Sequence, residues 1–174
     1  SRYSIWWRLP LAVELRLLPI AVLEFIAKCV NLITFDTHIP EAATLACEVD
    51  AQATVDAVSN RAHSEMMRVV LEELVSEAVY NRRVREGKYS IEHAFGAGNI
   101  GADAASRNYI DVVDELCKTI GLAAEQIEVP PAAVRFIRRV LDRILASGVV
   151  ERRDAARARR KRVRAEDAAV AGAI

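Results

Sequence analysis

A glycine-containing segment holds the residues of this chain that are best suited to chemistry. It begins at His93, passes through Gly96, Gly98 and Gly101, and leads to Asp103 at the start of a predicted helix. Glycines allow the backbone to turn sharply, and the backbone N–H groups at a helix start favour negative charge. We therefore expect Asp103 to be a carboxylate held at a strand-to-helix corner, where it is well placed to bind a divalent cation.

Two further acids stand out because of their apolar surroundings. Glu24 and Lys28 are the only charged residues between Leu17 and Phe35, and a carboxylate in so apolar a helix costs free energy unless it is paired or metal-bound. Asp50 ends an apolar strand, at the edge where open α/β sheets place their ligands. Together with Asp103, these acids are candidate metal ligands.

Each of these residues also has a purely structural explanation. Glu24 can pair with Lys28 at i, i+4, Asp50 can cap the segment after it, and Asp103 can be an ordinary first-turn acid. His93 can be a satisfied polar residue at a strand end.

The spacing G-x-x-N-x-x-A-D-x-x-S-R between Gly96 and Arg107, with a His ten residues before the Asp, resembles the last motif of the ribonuclease H domain of retroelement reverse transcriptases. The apolar run around Glu24 resembles the family's first-helix motif. The segment around Asp50 resembles its strand–Asp–helix motif. The three acids occur in the order and in the elements of this family pattern, and their joint occurrence favours the family over the structural explanations. The resemblance covers roughly residues 1–121.

The resemblance implies a metal-dependent endonuclease that hydrolyses the RNA strand of RNA–DNA hybrids. Glu24, Asp50 and Asp103 would be catalytic metal ligands for two Mg²⁺ ions, with Mn²⁺ as an alternative. His93 would assist hydrolysis or product release. Arg61 and Arg107 would track phosphates, and an upstream polymerase domain of the same polyprotein would be a partner.

One element of the family pattern is missing. The family's first Asp lies on its first strand, whereas the segment from Ser1 to Leu18 offers only Glu14, in the wrong context. We therefore expect the chain to be a piece of something longer, with the fourth carboxylate upstream, and to be inactive or nearly so by itself.

Composition agrees with an intracellular protein, in the cytoplasm or nucleus, that does not enter a membrane. The chain of 174 residues is 52% hydrophobic with a net charge of zero, which allows a real core. Its three cysteines have no metal-ligand spacing and are expected to be buried free thiols.

The apolar run from Leu9 to Phe35 is interrupted by charges and prolines and predicts a buried helix rather than a membrane span. Residues 151–167 hold eight basic and four acidic residues, which fits a solvated helical face or a contact with nucleic acid.

The pattern of the chain predicts an α/β protein. The predicted strands are Tyr3–Leu9, Ala43–Asp50 and Tyr89–His93. The predicted helices are Pro19–Phe35, Gln52–Ser59, Glu65–Tyr80 and Ala102–Ile120, followed by a helical pattern after Pro130 and Pro131. Ser64 can cap the helix that begins at Glu65, and periodicity places Val75 on the buried stripe of that helix and Val134 on the apolar face of the last one. Asn81–Lys88 is predicted to be a solvated connection. We expect a partial ribonuclease H-like domain over residues 1–121, a mixed sheet flanked by helices with its first strands missing, and a helical extension with a basic tail over residues 122–174.

Two other classes of function stay open. The first is a catalytically degenerate ribonuclease H-like module retained as a scaffold. The second is an unrelated helical interaction domain whose tail binds nucleic acid, which predicts almost no β-sheet.

Overall fold

The computed structural model describes residues 3–6, 13–49, 54–55, 64–93 and 100–171. The described chain is mostly helical with short parallel strands, which confirms the α/β class in this coarse sense. The strands are β1 (Tyr3–Trp6), β2 (Leu45–Val49), β3 (Tyr89–His93) and β4 (Ala123–Gln126). The helices are α1 (Ile20–Asp36), α2 (Glu65–Ser76), α3 (Ala78–Arg85), α4 (Ile100–Ser106), α5 (Ile110–Thr119), α6 (Pro131–Ala146) and α7 (Val149–Ala171), with a 3₁₀ turn over Val13–Leu17.

The described strands form two parallel pairs, β1 with β4 and β2 with β3. Parallel strands need a long crossover connection, and helices α2 and α3 lie between β2 and β3 in the chain. The helical pattern predicted after Pro130 and Pro131 is confirmed by α6 and α7, and β4 precedes them in a segment for which no strand was predicted. The sequence of β4 is Ala-Ala-Glu-Gln, which carries none of the residues that favour strands, so main-chain pairing with β1 forms it.

The core joins α1, α2 and α6. Its fully buried side chains include Phe25, Ile26 and Leu32 of α1, Val70 and Leu74 of α2, and Phe136, Val140, Leu141 and Ile144 of α6. Leu45 of β2 belongs to the same cluster, and Tyr89 and Ile91 of β3 pack against it. This core runs across residue 121, while the proposed domain boundary there stays a prediction.

The buried helix predicted between Pro19 and Phe35 is confirmed as α1. Among the described residues, no helix has the combination of length and apolar character that crossing a membrane requires. Cys29 and Cys117 are buried free thiols, as predicted, whereas the side chain of Cys47 lies outside the described part.

Two of the predicted helices are each divided into two helices in the structure. Ser64 caps α2 as predicted, since its Oγ accepts a hydrogen bond from the Met67 N–H at 3.1 Å, but α2 ends at Ser76 and α3 follows. The helix predicted over 102–120 is divided into α4 and α5 because Asn108 takes a positive φ of 63°. The predicted helix over 52–59 lies outside the described residues, apart from 54–55.

The prediction of a solvated connection over Asn81–Lys88 was wrong. Most of this segment belongs to α3, and Arg83 is fully buried. The Arg83 Nε donates to Asp36 Oδ1 at 2.8 Å, and its Nη1 donates to the Ala43 carbonyl oxygen at 2.8 Å. Arg82 Nη2 binds the other oxygen of Asp36 at 2.7 Å. Sequence patterns cannot reveal such a buried charge, because its partner lies 47 residues away.

Ion pairs between α2 and α6 cover one side of the core. Arg139 and Arg143 bind Glu73 at 2.9 and 3.0 Å, and they also pair with Glu77 and Glu72, respectively. Burial raises the pKa of the Glu73 carboxyl, but the hydrogen bonds and positive charges of Arg139 and Arg143 outweigh burial and hold that pKa below its usual range.

We expect Asp36→Ala to lower the free energy of unfolding by about 3–5 kcal/mol, because it leaves the Arg83 guanidinium buried without its counter-charge. Glu41→Ala is the matched control, since Glu41 also pairs with Arg82, at 3.6 Å, but is 76% exposed. The double variant Asp36→Ala/Arg83→Met should regain part of the loss, because it removes the buried charge. Urea unfolding measures the free energy of unfolding of all three variants. A loss of stability in Asp36→Ala no larger than that in Glu41→Ala would contradict this account.

The ion pairs of Glu73 with Arg139 and Arg143 predict an acid-sensitive contribution to stability. Because the pKa of Glu73 is lowered on folding, the contribution is present above the unfolded value near 4.5 and is lost as pH falls through the lower folded value. Between about pH 5 and pH 3, the Glu73→Gln variant should therefore lose less stability than the parent chain. Denaturant unfolding across this range is the measurement, with Glu128→Gln as an exposed control. A Glu73→Gln variant that follows the parent's pH profile would contradict the assignment.

Candidate active site

The carboxyl ends of β2 and β3 form the edge at which the sequence places its site. The register pairs Leu45 with Tyr89 and Val49 with His93, so both five-residue strands end at the same level. Asp50 follows Val49 directly in the sequence, but Asp50 itself and residues 94–99 lie outside the described part. The structure thus brings the backbone of His93 beside the residue that precedes Asp50.

The register of this pair is set at its amino ends. The Leu45 N–H donates to the Lys88 carbonyl oxygen at 2.8 Å, and the Lys88 N–H donates to the Arg83 carbonyl oxygen at 2.8 Å. The Arg83 side chain also donates to the carbonyl oxygen of Ala43, two residues before β2. A slip of one residue would turn every side chain of a strand to the other face. These bonds therefore position Val49 relative to His93.

Glu24 lies in the second turn of α1, and its residue is half-buried. Its helix ends at Asp36, whose carboxylate pairs with Arg83. Arg83 also binds the Ala43 carbonyl oxygen, so Asp36 lies near the amino end of the strand pair. A separation of twelve residues corresponds to about 18 Å along a helix axis. A five-residue strand spans about 16 Å. The part of α1 between Glu24 and Asp36 is therefore nearly as long as β2 or β3.

Asp103 lies in the first turn of α4, as predicted, and its side chain is 54% exposed. It is paired with Arg107, whose Nε donates to Asp103 Oδ1 at 3.0 Å. The structure therefore brings together one predicted metal ligand and one predicted phosphate contact. The Arg107 side chain is 62% exposed, so a second anion can approach it from solvent.

The other site predictions are not brought together in the described part. Within it, no three His, Cys, Asp or Glu side chains form a group that could hold a metal ion. Asp50 and Arg61 lie outside it, and the side chain of His93 is not described. The set of Glu24, Asp50, Asp103 and His93 therefore stays a prediction.

Sequence reasoning missed the residues that position this edge. Asp36 and Arg83 were not singled out, although an acid at the end of an otherwise apolar helix was a usable signal for Asp36. Glu14, set aside as a ligand, has a structural partner in Arg138, whose Nη1 lies 3.5 Å from Glu14 Oε1.

Comparison with known proteins gives no relative for this chain. No family model, curated protein or solved structure matches it.

The exposed Asp103–Arg107 pair predicts that Asp103 can be changed without harming the fold. Surface pairs and first-turn acids each contribute under about 1 kcal/mol, so Asp103→Asn should lower the free energy of unfolding by less than about 1 kcal/mol. Urea unfolding of the variant, with Arg107→Gln as its counterpart, measures this. A larger loss would give Asp103 a structural role that the pair does not explain.

Proposed function

We propose that this chain is part of a ribonuclease H-like domain of a retroelement reverse transcriptase polyprotein, which hydrolyses the RNA strand of RNA–DNA hybrids with the help of divalent cations. One observation carries the proposal. The parallel register of β2 and β3 ends both strands at one edge, and the chain continues from these ends into Asp50 on one side and into the glycine-containing segment before Asp103 on the other. This is the edge at which open α/β sheets place ligands.

The length of α1 supports Glu24 as a ligand of the same site as Asp50. Asp36 is tied to the amino end of the strand pair, and Glu24 lies about 18 Å back along the helix. If α1 runs back along the strands, Glu24 comes level with their carboxyl ends, since β2 spans about 16 Å. A half-buried carboxylate at that level would face the same edge as Asp50.

The chemistry of the candidate donors fits Mg²⁺. Glu24, Asp50 and Asp103 offer carboxylate oxygens, the hard ligands that Mg²⁺ prefers, and the remaining positions can be taken by water and phosphate oxygens. When bound, a pair of such ions activates the attacking water and stabilises the leaving oxygen. In this proposal the three carboxylates hold the ions, and a fourth carboxylate comes from outside residues 1–174.

His93 and Arg107 complete the proposed site. His93, at the end of β3, would relay a proton to or from the reacting groups. Arg107 would exchange its contact with Asp103 for a substrate phosphate as the carboxylate takes a metal ion, because a guanidinium binds phosphate oxygens well. Recognition of the hybrid would depend on duplex shape and 2′-OH contacts rather than on sequence.

The Asp103–Arg107 pair also favours a second candidate, a degenerate ribonuclease H-like scaffold. In that case the pair is permanent, Arg107 neutralises the carboxylate, and no metal binds. The fully helical interaction domain fits less well, because it has no place for two parallel strand pairs.

Paramagnetic broadening by Mn²⁺ distinguishes these candidates in the 174-residue chain without any need for activity. We expect amide resonances of Glu24, Val49, His93 and Asp103 to broaden first in a titration, because the proposed ligands surround one site. Asp50→Asn should remove this selectivity, since it replaces an anionic ligand at nearly constant volume. Asp142→Asn, an exposed acid on α6, is the control and should leave it intact. Broadening that is spread over exposed acids, or unchanged in Asp50→Asn, would overturn the metal site.

Cleavage tests the proposed reaction. In a polypeptide extended upstream to include the fourth carboxylate, we expect Mg²⁺-dependent cleavage of the labelled RNA strand of a hybrid. Asp50→Asn should abolish this cleavage, and Asp142→Asn should not. A folded extended polypeptide that shows neither selective Mn²⁺ binding nor cleavage would decide for the scaffold. Robust cleavage by residues 1–174 alone would show that the first ligand is misassigned.

A further inference from the structure

Helix α7 is anchored at one end and extends into solvent at the other. Val150 is buried, Arg152 Nη2 binds Glu65 at 2.8 Å, and Arg153 Nη2 donates to the Leu17 carbonyl oxygen at 2.8 Å. From residue 154 to residue 169 every residue is exposed. With 23 residues, the helix is about 34 Å long.

The exposed part carries an uncompensated positive stripe. Residues 157–164 include six basic residues and no acid. Four of them follow the spacing i, i+3, i+4, i+7 and so share one face of the helix; these are Arg157, Arg160, Lys161 and Arg164. None of the four forms an ion pair with a carboxylate of the described residues. Like charges at these spacings destabilise a helix, so an anionic partner would stabilise the stripe.

We propose that this stripe, Arg157–Arg160–Lys161–Arg164, binds the phosphate backbone of a nucleic-acid duplex. The stripe is about 10 Å long. A duplex presents about one negative charge per 1.7 Å of its axis, or about six over that length. The charge match favours a dense line of phosphates over isolated anions.

The charge of the remaining chain supports the same partner. Outside residues 151–167 there are 16 basic and 20 acidic residues, so the rest of the chain is net acidic. A polyanion is therefore attracted to α7 and weakly repelled elsewhere, which would orient a duplex along the helix. Binding through phosphates is independent of sequence, and it does not depend on whether the proposed nuclease site is active.

Fluorescence anisotropy with a labelled duplex of about 16 base pairs tests the proposal in the full chain. Both a DNA duplex and an RNA–DNA hybrid are used, at salt concentrations from about 50 to 200 mM. Changing all four stripe residues to Gln should reduce the slope of log affinity against log salt by about 3.6, since each phosphate contact contributes about 0.9. Gln keeps the helix propensity nearly constant, and circular dichroism checks that the helix is retained.

A charge-matched pair of variants assigns the effect to the stripe. Arg157→Gln/Arg164→Gln removes two charges from the stripe, whereas Arg159→Gln/Arg162→Gln removes two from the opposite face of the same helix. We expect the first to reduce the salt slope by about 1.8 and the second by less than half as much. Equal effects of the two variants, or an unchanged slope in the four-residue variant, would overturn the proposal. It would also be overturned if the chain bound phosphatidylserine vesicles but no duplex, or if the stripe variant changed only self-association in sedimentation.

Discussion

The buried salt bridge between Asp36 and Arg83 is the contact on which the arrangement of the strands depends. A guanidinium that is taken out of water must keep its counter-charge and its hydrogen-bond acceptors. Within the described residues, Arg83 in α3 finds these partners in Asp36 at the end of α1 and in the Ala43 carbonyl oxygen before β2. One side chain therefore fixes a helix and the starts of two strands relative to one another.

The effect of this contact reaches the opposite edge of the strand pair. Because β2 and β3 are equally long and paired in register, fixing their starts also fixes Val49 against His93. An interaction about 16 Å away thus positions the edge at which the candidate site lies. This separation explains why Asp103 can be exposed while the supporting ion pair is buried.

Local signals in the sequence predicted the local structure well. The strand at Tyr89–His93, the cap at Ser64 and the helix after Pro19 each follow from nearby residues, and the structure confirms them. The failures involve distant partners. Arg83 looks solvated until its bond to Asp36 is known, and β4 has no strand-forming residue and exists through its pairing with β1. Val75 and Val134, placed on buried stripes by periodicity, are each 43% exposed because helix packing uses neighbouring positions instead. For the site, the candidate ligands could be chosen from the sequence. The structure adds the edge at which β2 and β3 end, where Val49, the residue before Asp50, lies beside His93.

The central claim is that Glu24, Asp50 and Asp103 converge on one metal site at the carboxyl edge of β2 and β3. A crystal structure of the chain grown with Mn²⁺, with the ion located by its anomalous scattering, tests this claim most directly. The account predicts manganese between the three carboxylates, with their carboxyl carbons within roughly 10 Å of one another, as ligands of a site with metals about 4 Å apart require. Any of the three carboxylates on the opposite side of the strands, or manganese bound elsewhere, would contradict it.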